Sequence, residues 1–401
     1  MPKKDLFSLD AELALLAKLD NPQNDLQYVH VAGTNGKGST VAYISSVVNQ
    51  TKYVVGTFAS PFLYHYNELF VVGGEEISDE DFAAVFSEVK PAYDELTQAG
   101  IYPSEYEILT TMGFLYFKRQ GCDLVVLEVS LGGRMDTTNV IPAPLVTVIT
   151  PINYDHMSIL GNTLAEIATE KAGIIKTGSC VVSAPQEPEV QQVLEAVCME
   201  RSVLLDFQQL PKTQSRSLQG QQFQMEGHTY TTSLLGTYQA NNAALAILAI
   251  HKLQELGFQI SGAQIAEGIA KTKWFGRFTL IHSNPYIIVD GGHNRQGAKV
   301  LRQSIEAYFP DQKITFVMGI LKDKEVDIIL DELLPIAKMC YTMEVPSMRT
   351  MNPIELAEMI AQRGITATVL PENKCLSQLV GPDEVLCICG SLYLIQNIEI
   401  E

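Results

Sequence analysis

A short apolar segment, Tyr28 to Ala32, runs directly into Gly33-Thr34-Asn35-Gly36-Lys37-Gly38-Ser39-Thr40, after which Val41, Ile44, Val47 and Val48 recur at helical spacing. Strand, glycine-rich loop and helix in immediate succession leave few folds open. A loop with three glycines lets consecutive backbone N–H groups turn toward phosphate oxygens, and the helix that follows presents its positive end. Lys37 adds a point charge, and Ser39 or Thr40 can reach a metal-bound phosphate. The eight residues are a shortened relative of the P-loop, and ATP is the ligand they suit.

The same apolar-strand signature returns at residues 52–56, 124–129, 145–150 and 180–184, with helical patterns between, as a doubly wound, mostly parallel sheet requires. Residues 205–235 differ: they are Gln-rich and alternating, with Gly220 and Gly227 as turn points, and predict short antiparallel strands. A helix is expected over 238–256. The pattern breaks at Trp274-Phe275-Gly276-Arg277, and a new alternation covers 286–290, 314–318, 340–344, 366–370 and 385–389. With 401 residues the chain exceeds one comfortable core. The expected α/β organisation is therefore an N-terminal P-loop domain, 1–276, and a smaller C-terminal α/β domain, 277–401.

Partners are bounded by charge and composition. The sum 28 − 46 gives −18, which argues against nucleic acid and anionic membrane surfaces, because both are held by clustered Lys and Arg. Any anionic substrate must then be gripped locally. The longest apolar runs, such as 243–250, fall far short of the roughly 20 residues that span a bilayer. The two lysines near the start precede no apolar signal segment; Leu13, Leu15, Leu16 and Leu19 instead mark one face of a helix. Seven scattered cysteines without a C-x-x-C pair suit reduced thiols. The expectation is a cytoplasmic protein, monomeric by default.

Chemistry gathers at strand ends. The 124–128 strand closes on Glu128, a carboxylate that beside a P-loop can hold Mg²⁺ directly or through water. Gly132, Gly133, Arg134 and Asp136 follow at the C-terminal end of that strand, where parallel α/β sheets place their ligands. The 145–150 strand delivers Asn153-Tyr154-Asp155-His156 to the same edge, and His156 is a metal-ligand candidate. Asp290 ends another apolar strand ahead of two glycines, again a ligand-loop pattern.

Together these motifs resemble the folylpolyglutamate synthase/dihydrofolate synthase branch of the Mur ligase superfamily. The resemblance is carried by residues 30–40, Ser60-Pro61, residues 127–139, Asp155-His156 with Leu160-Gly161, residues 170–176 and residues 290–294, in that order. It implies an ATP-dependent ligase whose Rossmann-like C-terminal domain closes over the nucleotide. The acceptor carboxylate, of a folate or dihydropteroate, would be activated as an acyl phosphate and attacked by the amine of L-glutamate. ATP and Mg²⁺ are the implied cofactors; a monovalent cation is left open.

Residue by residue, the resemblance assigns Ser60, Glu128 and His156 to Mg²⁺. Lys171 would be the carbamylated lysine that helps hold a second metal. Lys37, His156 and Lys171 carry the catalytic roles, and Asn241, Arg277, Asp290 and His293 join residues 33–40 at the nucleotide. Carbamylation requires a neutral amine, so Lys171 is expected to be desolvated or close to a cation. Phe62, Tyr106, Glu107, Arg134 and Asp136 are substrate candidates. The chain departs from the family pattern at Phe62, Leu69 and Thr279, the last removing an acidic linker contact. Two other readings stand beside this one: a Mur-type ligase for a different precursor, and a catalytically silent nucleotide-binding paralogue.

Overall fold

In the computed structural model, which describes residues 8–371 and 375–397, the first group of apolar segments becomes one sheet. Its strands are β1 (Tyr28–Ala32), β2 (Val55–Phe58), β3 (Val71–Val72), β4 (Glu75–Glu76), β5 (Leu124–Glu128), β6 (Val146–Ile149), β7 (Cys180–Ser183) and β8 (Leu205–Phe207). They lie in the order β4-β3-β2-β5-β1-β6-β7-β8. All pairings are parallel except those of β3, which runs antiparallel to β2 and β4. Every residue of β1, β2, β5 and β6 is buried. A parallel strand covered on both faces has no solvent side, hence the unbroken apolar runs.

The order decides where ligands go. β1 lies between β5 and β6, so the loop leaving β1 is flanked by Glu128 on one side and by the segment after β6 on the other. A switch of chain direction at that point opens a crevice at the strand ends.

The helices of this part are α1 (Asp10–Ala17), α2 (Lys37–Val48), α3 (Asp79–Gln98), α4 (Glu105–Arg119), α5 (Met157–Leu160), α6 (Leu164–Ala172), α7 (Pro188–Arg201), α8 (Gln239–Glu255) and α9 (Gly262–Lys271). Leu15, Leu16, Val85, Val89, Leu109 and Phe117 bring α1, α3 and α4 into one core with Val125 and Leu127 of β5. Ile167, Ala168 and Leu194 pack α6 and α7 with Ile149 and Val181 in another. The apolar face expected for α1 is partly corrected. Leu15 and Leu16 are buried, but Leu13 is 43 % exposed, whereas Glu12 is 0 % exposed. At 100° per residue, positions 11, 12, 15 and 16 form the inward stripe, so Glu12 goes in and Leu13 out.

A second set of strands comprises β9 (Lys212–Ser217), β10 (Gly220–Met225) and β11 (His228–Thr232), then β12 (Thr279–Ser283), β13 (Tyr286–Asp290), β14 (Ile314–Met318), β15 (Ala337–Thr342), β16 (Ala367–Val369) and β17 (Val385–Cys389). β9 to β11 form an antiparallel sheet, as the alternating Gln-rich stretch predicts. The others form the order β12-β13-β17-β14-β15-β16, parallel apart from the β12–β13 hairpin, with α10 (Arg295–Tyr308), α11 (Val326–Leu333) and α12 (Pro353–Gln362).

Packing groups the chain into two units that interleave along the sequence: residues up to 210 with 241–271, and 211–240 with residues from 272 onward. The antiparallel sheet belongs to the second unit because Leu218, Leu235 and Tyr238 pack with Phe278, Ile288 and Leu301. Gly236 N and Thr237 N also donate to Tyr308 Oη at 3.3 Å and Ser304 Oγ at 3.0 Å. Among the described residues no helix is long and apolar enough to cross a membrane.

Candidate active site

The loop after β1 is held by its neighbours before any ligand arrives. Thr34 N and Asn35 N both donate to Pro151 O, at 3.0 and 3.3 Å, and Thr34 Oγ1 donates to Asn153 O at 3.0 Å. Of the consecutive N–H groups expected to face phosphate, these two are instead taken up by Pro151 O. The helical hydrogen bonds of α2 begin with Thr40 N to Gly36 O at 2.9 Å, so the amides of residues 37–39 form the N-terminal turn that an anion meets. Gly33 (φ 144°) and Gly36 (φ 88°) are needed sterically. A Cβ on Gly33 would stand 1.9 Å from Thr150 Oγ1, and one on Gly36 would stand 2.5 Å from Asn242 Oδ1.

Three charged side chains converge here. Lys37 Nζ donates to Thr34 O at 3.3 Å and lies 3.9 Å from Glu128 Oε1. Glu128 is only 4 % exposed at the end of β5. A carboxylate so buried needs cationic company, and at 3.9 Å Lys37 supplies it loosely. Lys171, on α6, is buried and donates from Nζ to Gly33 O at 2.8 Å. Burial, with the charge of Lys37 second, pulls its pKa down to about 7, against the opposing pull of Asp155 and Asp136. The neutral amine that carbamylation requires is thus accessible near neutral pH. That Lys171 also grips the first carbonyl of the loop gives no signal in its own helical sequence.

His156 adopts φ 51°, a left-handed conformation ahead of α5; its N donates to Asp155 Oδ1 at 2.9 Å, and Nε2 lies 3.7 Å from the same oxygen. Ser60 follows β2 and precedes a cis Pro61. Burial pushes the Tyr106 phenol up, with Asp136 adding to the rise, while the proximity of Ser60 and Ser130 opposes it. Ser60, Tyr106 and Ser130 are therefore neighbours.

Beside them opens a cavity of about 420 Å³, lined by residues 130–137, Tyr106, Ile159, Leu160 and Glu170. Arg134 and Asp136 are thus both wall residues. Arg134 is exposed and pairs with Glu170 at 2.8 Å. Asp136 is buried and accepts from Leu131 N at 2.8 Å and Thr138 N at 3.0 Å, organising the loop from within.

Other candidates take different places. Glu107 closes a capping box at the start of α4, accepting from Ser104 N and Oγ, so its carboxylate serves the helix end. Phe62 is half-buried against Tyr66, with ring centroids 4.8 Å apart. Asn241 is exposed, and its carbonyl accepts from Gln208; the neighbouring Asn242 is the residue that meets Gly36. In the second unit, Asp290 accepts from Tyr238 Oη at 3.0 Å, Phe278 N at 2.9 Å and Gly292 N at 2.7 Å. Burial raises its pKa, and Arg277 beside it opposes the rise. His293 Nδ1 contacts Gly291 O at 2.9 Å.

Among the described residues no three His, Cys, Asp or Glu side chains converge as a self-sufficient metal site. Mg²⁺ does not need one, since it takes one or two protein oxygens and fills its octahedron with phosphate and water. A buried Glu128 beside the N-terminal turn of α2 fits that demand.

Comparison with known proteins bears on what such a site is for. A family model described as the Mur ligase middle domain matches residues 31–250, and one described as the Mur ligase, glutamate ligase domain matches 276–392. The dihydrofolate synthase/folylpolyglutamate synthase of Bacillus subtilis (strain 168) is 37% identical over 402 residues, covering 96% of this chain and 92% of the relative. The chain belongs to the folylpolyglutamate synthase/dihydrofolate synthase branch of the Mur ligases. The folylpolyglutamate synthase of Lacticaseibacillus casei is 34% identical over 394 residues, covering 95% of this chain and 91% of the relative. A solved structure of Mycobacterium tuberculosis folylpolyglutamate synthase complexed with ADP and AMPPCP superposes with a TM-score of 0.88 at 29% identity, over 98% of this chain and 96% of the other. E. coli FolC in complex with DHPP and ADP superposes with a TM-score of 0.85 at 27% identity, over 99% and 93%.

Proposed function

We propose that this chain is an ATP-dependent ligase that adds L-glutamate to a folate, with tetrahydrofolate polyglutamates, dihydropteroate, or both as acceptors. Residues 1–276 would carry the ATP-binding part and 277–401 the ligase part. One observation supports the reading most directly: the P-loop, with Lys37, Glu128 and Lys171 around it, lies beside a cavity walled by the 130–137 loop. Relatives named for this activity match over nearly the whole chain.

Phosphate oxygens would meet the amides of residues 37–39 and Lys37, which leaves its resting contact with Thr34 O to follow the transferring phosphoryl. The acceptor carboxylate attacks the γ-phosphorus of ATP, the β–γ bridging P–O bond breaks, and an acyl phosphate and ADP result. The glutamate amine then attacks the carbonyl, the amide forms and inorganic phosphate leaves. Ser60, Glu128 and His156 are the proposed Mg²⁺ ligands, and a carbamylated Lys171 would add a carboxylate for a second metal ion. The metal would neutralise charge as it develops on the phosphoryl oxygens. Asn241, Arg277 and His293 are proposed nucleotide contacts. Asp290, whose carboxylate already accepts three hydrogen bonds, would act through the Gly292 loop it holds.

The test is ADP release from purified protein with Mg-ATP and glutamate, run separately with dihydropteroate and with a tetrahydrofolate, each product weighed by mass spectrometry. ADP formation that requires both acceptor and glutamate, with a product heavier by one glutamyl residue, is expected. Release with neither acceptor would overturn the reading in favour of a silent paralogue or another precursor.

A further inference from the structure

A buried hydrogen-bond chain runs from β1 to the cavity loop. Thr138 Oγ1 donates to Asp136 Oδ1 at 2.5 Å. Burial raises the Asp136 pKa, opposed by the hydrogen bonds from Leu131 N and Thr138 that favour the carboxylate. With Asp136 ionised, the one hydroxyl proton of Thr138 goes to it, and the 2.8 Å contact between Thr138 Oγ1 and His30 Nε2 is a donation from the imidazole. His30 is thereby fixed as the Nε2–H tautomer. Its Nδ1 is then unprotonated, and that atom is buried with no hydrogen-bond partner. The ring stays neutral for two further reasons: burial first, then the nearby charge of Lys176, which together lower its pKa to about 3. His30 and Thr138 are 0 % exposed and Asp136 4 %.

The chain joins two elements that the chemistry must keep in register. His30 sits in β1 three residues before Gly33, the first residue of the P-loop. Asp136 holds Leu131 N and Thr138 N, so it draws both ends of the cavity wall together. The far end of this loop is tied separately, by Lys176 Nζ donating to Asn139 O at 2.8 Å and Ile141 O at 2.5 Å. A buried polar network costs desolvation, and what it returns is a single arrangement.

We propose that His30 and Thr138 are positioning residues that lock the Asp136 loop onto the strand carrying the P-loop, and so set how the acceptor carboxylate meets the transferable phosphate. The proposal rests on the ligase reading of this site. It predicts that Thr138→Val, close in shape but without the hydroxyl, and His30→Leu lower kcat with the folate acceptor by about 10²-fold, the usual cost of a small misplacement of reacting groups. KM for ATP should stay unchanged. Thr138→Ser and His30→Gln, which restore a hydroxyl and a donor at the Nε2 position, should recover most of the rate.

Wild-type kcat in Thr138→Val, an equal loss in ATP binding, or no rescue by the conservative pair would overturn it. A second measurement does not depend on activity. Two-bond ¹⁵N–¹H correlation of the wild-type imidazoles should show His30 protonated at Nε2, the signal being assigned by its loss in His30→Gln. Protonation at Nδ1 would overturn the chain. If neither acceptor supports ADP release by the wild type, the ligase reading fails on its own, and the tautomer still decides whether the lock exists.

Discussion

Lys37 has few structural obligations: one 3.3 Å bond to a carbonyl and a loose approach to Glu128. Lys37→Ala should therefore leave a folded protein with a cooperative melt and lower kcat by about 10²-fold or more, the usual loss when one stabiliser of developing charge is removed. A steady-state assay beside a thermal melt separates the two effects, and an unchanged kcat would take Lys37 out of the mechanism. Lys171 allows a test through pH. CO₂ adds only to a neutral amine, and a pKa of about 7 means that the neutral fraction grows as pH rises through neutrality. Protein stripped of CO₂ should regain activity with added bicarbonate more fully at pH 8 than at pH 6, with a matching mass increment on the peptide containing Lys171. Equal recovery at both values, or none, would refute the carbamate. Both lysines are visible in the sequence, but for different reasons. Lys37 is legible from spacing alone, because loop, charge and helix are contiguous. Lys171 reads as an ordinary helical cation until the fold brings α6 under Gly33, and only the family resemblance singles it out.

Among the elements, α1 departs most from its sequence pattern. Four leucines suggest an apolar stripe, yet the helix turns Glu12 inward, with neither carboxylate oxygen partnered. Burial above all, then the charges of Glu107 and Asp136, raise its pKa well above the ordinary 4.5. A carboxyl raised on folding binds more protons folded than unfolded between its ordinary and raised values. Stability is thus full below the ordinary value and declines as pH rises through that window. Glu12→Leu should abolish this decline and gain about 1–3 kcal/mol near pH 7, the typical cost of a buried polar group left unsatisfied. Urea unfolding of both proteins at several pH values is the measurement; parallel stability curves would show that Glu12 is not the cause. Sequence patterns find strands such as β5, β13 and β17 because burial on both faces demands unbroken apolar runs. They miss polar residues drawn inward, such as Glu12, His30 and Asn242, because nothing in a local pattern distinguishes a buried polar side chain from an exposed one.

For the molecule as a whole, chain order and packing give different divisions. The family models divide the chain near residue 276, where the sequence pattern also breaks, yet the second core draws on residues far earlier. Leu218, Leu235 and Tyr238 join that core, and Gly236, Thr237 and Tyr238 bond to Tyr308, Ser304 and Asp290. A fragment cut at residue 277 loses all of these at once. It also bares apolar surface on Phe278, which is 0 % exposed in the whole chain. A domain of this size has little stability to spare, since small cores bury a smaller share of their surface. Residues 277–401 expressed alone should therefore show no cooperative urea transition by circular dichroism, or one shifted to markedly lower urea than the corresponding transition of the intact chain. An unshifted, cooperative transition would mean that the antiparallel sheet and its following turn are accessories to the second core rather than part of it.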